Sequence, residues 1–199
     1  FATELGAPFT AADVLITPGA QAALDSILRV LARPGDAVVL EDPCYPGAVV
    51  AATLSGLVPT PVPTDHDGVR PDALADVLAR SGARLVVLQP RHSNPTGSVL
   101  SADRRAQVLA IAHEFGCFVV EDDWVRDLDL DGPTGPPLVT DDQHHLRALE
   151  WLDHESRMQA LLQRHYRHEV ELREPTGRSA PLLAVQAYFD GIQRIPRRL

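Results

Sequence analysis

Four short clusters of polar and aromatic residues each follow an apolar run, and each is chemically competent. Thr17-Pro18-Gly19-Ala20-Gln21 is a glycine turn opening a helix, where free backbone N–H groups and the helix dipole favour a phosphate dianion. The dipole contributes roughly 0.3–2 kcal/mol to holding such an anion. Glu41-Asp42-Pro43-Cys44-Tyr45-Pro46-Gly47 uses two prolines to stiffen a loop that presents one aromatic ring, suited to stacking on a flat heterocycle. In Gln89-Pro90-Arg91-His92-Ser93-Asn94-Pro95-Thr96-Gly97 the X-Pro turn holds the Asn94 amide outward as a hydrogen-bond donor. Glu121-Asp122-Asp123-Trp124 is an acidic segment able to face a cationic ring nitrogen.

Elements of alternating type must position these clusters. Short, β-branched apolar runs at Val14–Ile16, Ala37–Leu40, Val58–Val62, Leu85–Leu88 and Phe118–Val120 read as strands. Several are apolar on consecutive residues, which implies burial on both faces and hence a parallel sheet. Between them Ala20–Ala32, Gly47–Leu54, Pro71–Ala79 and Ala102–Phe115 read as helices, closed by Pro34-Gly35, Gly56, Gly82 and Gly116. Ala23, Ile27, Val30 and Leu31 form the apolar stripe of the first, and Ser101 is the expected N-cap of the last. The fold class is therefore α/β, a three-layer sandwich around a mostly parallel sheet. Ligands bind such sheets beyond the carboxyl ends of the strands, where all four clusters stand.

Around Asp131 the texture changes. Gly132-Pro133-Thr134-Gly135-Pro136-Pro137 reads as a linker, and beyond Asp142 the chain becomes charged and rich in histidine. Leu146, Leu149, Leu152, Leu161, Leu162 and Tyr166 outline one long helix, and Pro181–Ile192 another, with no further strand expected. Residues 1–142 are thus expected to form an incomplete α/β domain and residues 143–199 a helical C-terminal tail.

The formal net charge of −9 argues against general nucleic-acid binding, Arg194–Arg198 being the one short basic run. Cys44 and Cys117 fit neither a zinc spacing nor a disulfide framework, so a reduced, cytoplasmic chain is expected. No segment is long and apolar enough for a membrane span, and no signal pattern opens the chain. A start at Phe1 rather than Met is what a fragment would show.

Other chemistries fit less well. Asp127, Asp129, Asp131 and Gly132 imitate the opening of a calcium loop, but Leu138 stands where a bidentate glutamate belongs. Of His144, His145, His154, His165 and His168, only the last two share a helical face, and solvated histidines on a polar helix account for them better than a metal site. Glu121, Asp122 and Asp123 lack the nucleophile and histidine of a hydrolase. Tyr45 and Trp124 also suit plain core or interface positions.

Together the four clusters resemble one family, the fold type I aminotransferases, over roughly residues 10–142. The resemblance is carried by Ile16–Leu24 (ITPGAQAAL), Glu41–Gly47 (EDPCYPG), Asn94–Gly97 (NPTG) and Glu121–Leu128 (EDDWVRDL). It is strongest for the aminotransferase-like domain of MocR-branch, GntR-type transcription regulators. It implies a PLP-dependent transferase-like large domain that holds pyridoxal 5'-phosphate (PLP). The backbone at Ala20 and Gln21 would cradle the phosphate, Tyr45 would stack on the pyridine and Asn94 would bond the ring hydroxyl. Asp122 would pair with the pyridine nitrogen and keep it protonated. Trp124 stands where many relatives carry tyrosine, and an indole N–H donates but does not accept.

The departures from the family matter as much. All eighteen basic residues are arginine, and the family's Schiff base and proton shuttle need a lysine amine. Guanidinium stays protonated and is no substitute. The family's small domain and the winged helix of MocR proteins are not recognisable either. PLP, where bound, is therefore expected to be held non-covalently, with no catalytic residue assigned. Three readings stay open: a PLP-binding domain unable by itself to transaminate; the effector-sensing part of a MocR-like regulator, touching DNA only through a domain outside this chain; and a non-functional gene remnant. An amino acid or amine is the implied substrate or effector, and a homodimer the implied assembly.

Overall fold

In the computed structural model the described residues are 17–123, 137–138 and 184–185. The expected strand at 14–16, Trp124, the calcium-like loop and the histidines of the tail lie outside them, as does the division at residue 142.

The order of elements is α1 (Ala20–Leu31), β1 (Ala37–Asp42), α2 (Pro46–Leu54), β2 (Val58–Asp65), β3 (Gly68–Val69), α3 (Pro71–Ser81), β4 (Leu85–Leu88), α4 (Ala102–Phe115), β5 (Phe118–Asp122) and β6 (Ala184–Val185). One sheet runs β3-β2-β1-β4-β5-β6. All pairings are parallel except that of β2 with β3. The four expected helices and four of the expected strands are present, with ends shifted by up to three residues.

Alternation along each strand sorts side chains between two apolar layers. Val38, Leu40, Leu85, Val87 and Val120 pack with Leu24, Ile27 and Leu28 of α1 and Ala48, Ala51 and Ala52 of α2. Val39, Val62, Val86, Leu88 and Val119 pack with Leu74, Val77 and Leu78 of α3 and Val108 and Ala112 of α4. The sheet is thus the middle layer of an α/β/α sandwich, and its central strands are buried on both faces, as their unbroken apolar runs imply.

Three differences from the sequence reading have physical causes. Ala184–Val185, expected within a helix, instead forms β6 beside β5, pairing Glu121 with Ala184 and Asp122 with Val185. The expectation of no further strand is therefore corrected: the outer edge of β5 carries backbone groups that need partners, and this overrides local helical period. Strand β3 is two residues long, too short for a period to reveal. Its turn is clamped by Arg104 of α4, whose guanidinium donates to both carboxylate oxygens of Asp65, at 2.6 and 2.8 Å, and to the Gly68 carbonyl. Ser101 does occupy the N-cap of α4, but its hydroxyl makes no capping bond.

Strand β2 reads VPTPVPTD, with prolines at every second position. Val58 donates its N–H to Asp36 on the β1 side, at 2.9 Å, so residues 58, 60 and 62 face β1. Pro59 and Pro61 turn their missing donors outward, where no ladder bond is lost, and Pro63 faces the β3 side, where its carbonyl accepts the Arg70 N–H at 3.2 Å.

Leu28 is fully buried between α1 and the sheet. Leu28→Ala is expected to lower unfolding stability by about 2–5 kcal/mol, read from the urea midpoint at unchanged slope.

Candidate functional site

The register decides which strand-end residues meet. Leu88 lies opposite Glu121, so the next residues, Gln89 and Asp122, are also neighbours. Alternation puts both on the face shared with Val87 and Val120, the face covered by α1 and α2. Their side chains touch there: the Gln89 carboxamide donates from Nε2 to Asp122 Oδ2 at 2.7 Å. The same carboxamide accepts the Asn94 N–H on Oε1 at 2.9 Å.

A second pair stands over the same face. Gly19, at φ 97°, adopts a backbone conformation that favours glycine and starts α1 at Ala20. The helix takes no side-chain cap and has no acid in its first turn, leaving its positive end open to an anion. Gln21 donates from Nε2 to the Gly47 carbonyl at 3.0 Å and accepts the Tyr45 hydroxyl at 3.3 Å. Tyr45 is half-buried against the α1/α2 layer, its ring lying over Gly47, so that a methyl group at position 47 would collide with it. The structure therefore brings Asn94 and Asp122 together through Gln89, and Gln21 together with Tyr45. It sets Ala20 and both groups at the carboxyl ends of β1, β4 and β5, on one side of the sheet. Trp124 lies outside the described residues.

Residues of the opposite parity point to the other face and form a buried ionic floor. Glu121 accepts the Leu138 N–H at 2.8 Å and lies 3.9 Å from Arg91, which pairs with Asp123. Glu41 of β1 accepts the Gln89 backbone N–H at 2.7 Å. These residues were missed as site components, although Glu and Gln directly after unbroken apolar strands are a usable signal. Arg91, buried behind its loop, gives no such signal.

Burial raises the Glu41 carboxyl to about 7 against the Gln89 N–H bond, with the Asp122 charge pushing the same way. Burial likewise takes Glu121 to about 7, reinforced by Asp123. Asp122 is also raised, first by burial; its bond from Gln89 opposes that shift and the Asp123 charge adds to it. Such strand-end carboxylates, costly to ionise, are suited to meeting a cation.

At the far end of β2, Asp65, His66 and Asp67 lie within reach of one another, but Asp65 is already committed to Arg104. No helix among the described residues is long and apolar enough to cross a membrane.

The model of a family described as aminotransferase class I and II matches residues 1–124. The chain belongs to this family. Class I and II aminotransferases depend on PLP, and the relatives of this aminotransferase-family chain include both enzymes and MocR-type regulators. It is 41% identical over 116 residues to 2-aminoadipate transaminase of Thermus thermophilus, covering 58% of this chain and 29% of that protein. It is 35% identical over 134 residues to PtsJ, the vitamin B6 salvage pathway transcriptional repressor of Salmonella typhimurium, covering 67% and 31%. Among solved structures it resembles LysN, an α-aminoadipate aminotransferase of Thermus thermophilus complexed with N-(5'-phosphopyridoxyl)-L-leucine. There the TM-score is 0.69 at 27% identity, over 92% of this chain and 51% of LysN. The chain spans about three-tenths of the length of these two curated relatives.

Glu41 has a definite pH signature. The unfolded chain releases this proton near 4.5 and the folded chain near 7, so stability should fall as pH rises between these values and level off above. Glu41→Gln keeps an acceptor for Gln89 and removes the penalty. It is expected to gain roughly 3 kcal/mol at pH 8 and to match the parent near pH 4, by denaturant melts at both values.

Proposed function

We propose that this chain is a PLP-binding aminotransferase-type module that holds the cofactor reversibly and does not transaminate by itself. The observation that carries the reading is the placement of Ala20, Gln21, Tyr45 and Asp122 on one face of the sheet, at the carboxyl ends of its strands, with Asn94 tied to Asp122 through Gln89.

The residues fit the cofactor part by part. The uncapped first turn of α1 offers N–H groups and a positive dipole end to the phosphate dianion. Tyr45 supplies an aromatic surface for the pyridine, and its hydroxyl is occupied by Gln21, which keeps the ring in place. Asn94 offers its amide to the ring hydroxyl. Asp122, costly to ionise on its own, gains its counter-ion when it holds the proton on the pyridine nitrogen. When bound, PLP supplies an electron sink for an amino acid or amine partner.

The chain contains no lysine, the residue whose amine the family uses for covalent attachment and proton transfer. This supports binding without turnover. A second reading is favoured by the similarity to PtsJ: the same site senses an effector for a transcription regulator of the GntR class, in the cytoplasm, with DNA contacts made by residues outside this chain.

Equilibrium dialysis against PLP tests the first reading. Saturable binding, fully reversed by dialysis, is expected, with Asp122→Ala weakening it about tenfold or more and Asp103→Ala leaving it unchanged. Saturation that ignores Asp122, or none at millimolar PLP with a cooperatively melting chain, refutes it.

A further inference from the structure

Gln89 belongs to none of the four clusters' expected cofactor contacts, yet it connects more of the site than any residue that does. It is buried, with 6% exposure, as the first residue beyond β4. Its backbone N–H is spent on Glu41, its Nε2 on Asp122 and its Oε1 on the Asn94 N–H. The partners fix which way the carboxamide points. An ionised carboxylate only accepts and a backbone N–H only donates, so a flipped amide would lose both bonds.

From this geometry we infer that Gln89 is a positioning residue that aims the Asp122 carboxyl group and favours its anion while locking the Asn94 loop to it. The inference rests on the PLP reading for its functional meaning. Physically it needs only the two side-chain bonds. A carboxamide is suited to the task because it stabilises the Asp122 anion without adding a charge. A cation here would neutralise Asp122 before a pyridinium reached it, and an anion would force the two carboxylates to share a proton. The link is also mechanical. Asn94 and Asp122 come from different strand ends, and the single side chain between them sets their separation.

The effects of burial and of Gln89 on Asp122 oppose each other, so removing the donor has a defined direction. In Gln89→Leu the Asp122 anion and the Asn94 N–H both lose a partner, and the Asp122 titration moves to higher pH. Gln89→Glu, the same size, moves it further in the same direction because a second carboxylate replaces the donor. Both variants retain the backbone bond to Glu41, and a thermal melt reports whether each folds.

The test follows the Asp122 carboxyl carbon by NMR in the full chain without cofactor, and then measures PLP affinity by dialysis. An upward titration shift in both variants, together with PLP binding at least about tenfold weaker than in the parent, is expected. An unshifted Asp122 in a folded Gln89→Glu chain overturns the inference. So does parental PLP affinity in both variants. A parent chain that binds no PLP removes the reading in the preceding section instead, and the Asp122 titration then decides the role of Gln89 by itself.

Discussion

The parity of residues along three neighbouring parallel strands is the constraint on which the rest depends. Because successive side chains leave opposite faces of the sheet, β4 and β5 direct Gln89 and Asp122 toward the α1/α2 layer, while β1 and β5 send Glu41 and Glu121 toward the α3/α4 layer. A shift of one residue in β5 would put Glu121 on the α1 face in place of Asp122 and break the bond from Gln89 that holds Asp122 there. Apolar residues further back hold that register, since slippage would drive Val119 and Val120 into the wrong layers. Core packing and chemistry are therefore one specification.

The strand ends concentrate negative charge where water is scarce. Glu41, Glu121, Asp122 and Asp123 stand at neighbouring strand ends, with Arg91 buried between Glu121 and Asp123, while the groups that Glu41 meets, the Gln89 N–H among them, carry no positive charge. An unoffset buried anion is expensive, and the raised carboxyls are the expression of that cost. The arrangement sacrifices stability at neutral pH to keep acidic groups in place at the mouth of the sheet, as functional sites commonly do.

Much of this was legible in the residues. The unbroken apolar runs LVVL and FVV announce strands buried on two sides, and Gly35, Gly82 and Gly116 mark the ends of the units between them. The four chemical clusters stand after strands because that is where a parallel sheet lets the chain turn toward a ligand. What was hidden depended on partners distant in sequence. Ala184–Val185 is a strand only because β5 has an edge to satisfy, and β3 exists only as the return of a turn held by Arg104. Gln89 looked like the first residue of a loop; its importance comes from Asp122, thirty-three residues later, arriving opposite it. No local period encodes that meeting.

The prolines of β2 also govern what the molecule can join. Where they face outward, Pro59 and Pro61 offer carbonyl oxygens but no hydrogen to donate. An incoming strand needs donors and acceptors in turn, and finds only half of them on this flank. Recruitment of a foreign chain by sheet extension is thus discouraged along β2, a safeguard written into the main chain itself that no rearrangement of side chains can undo.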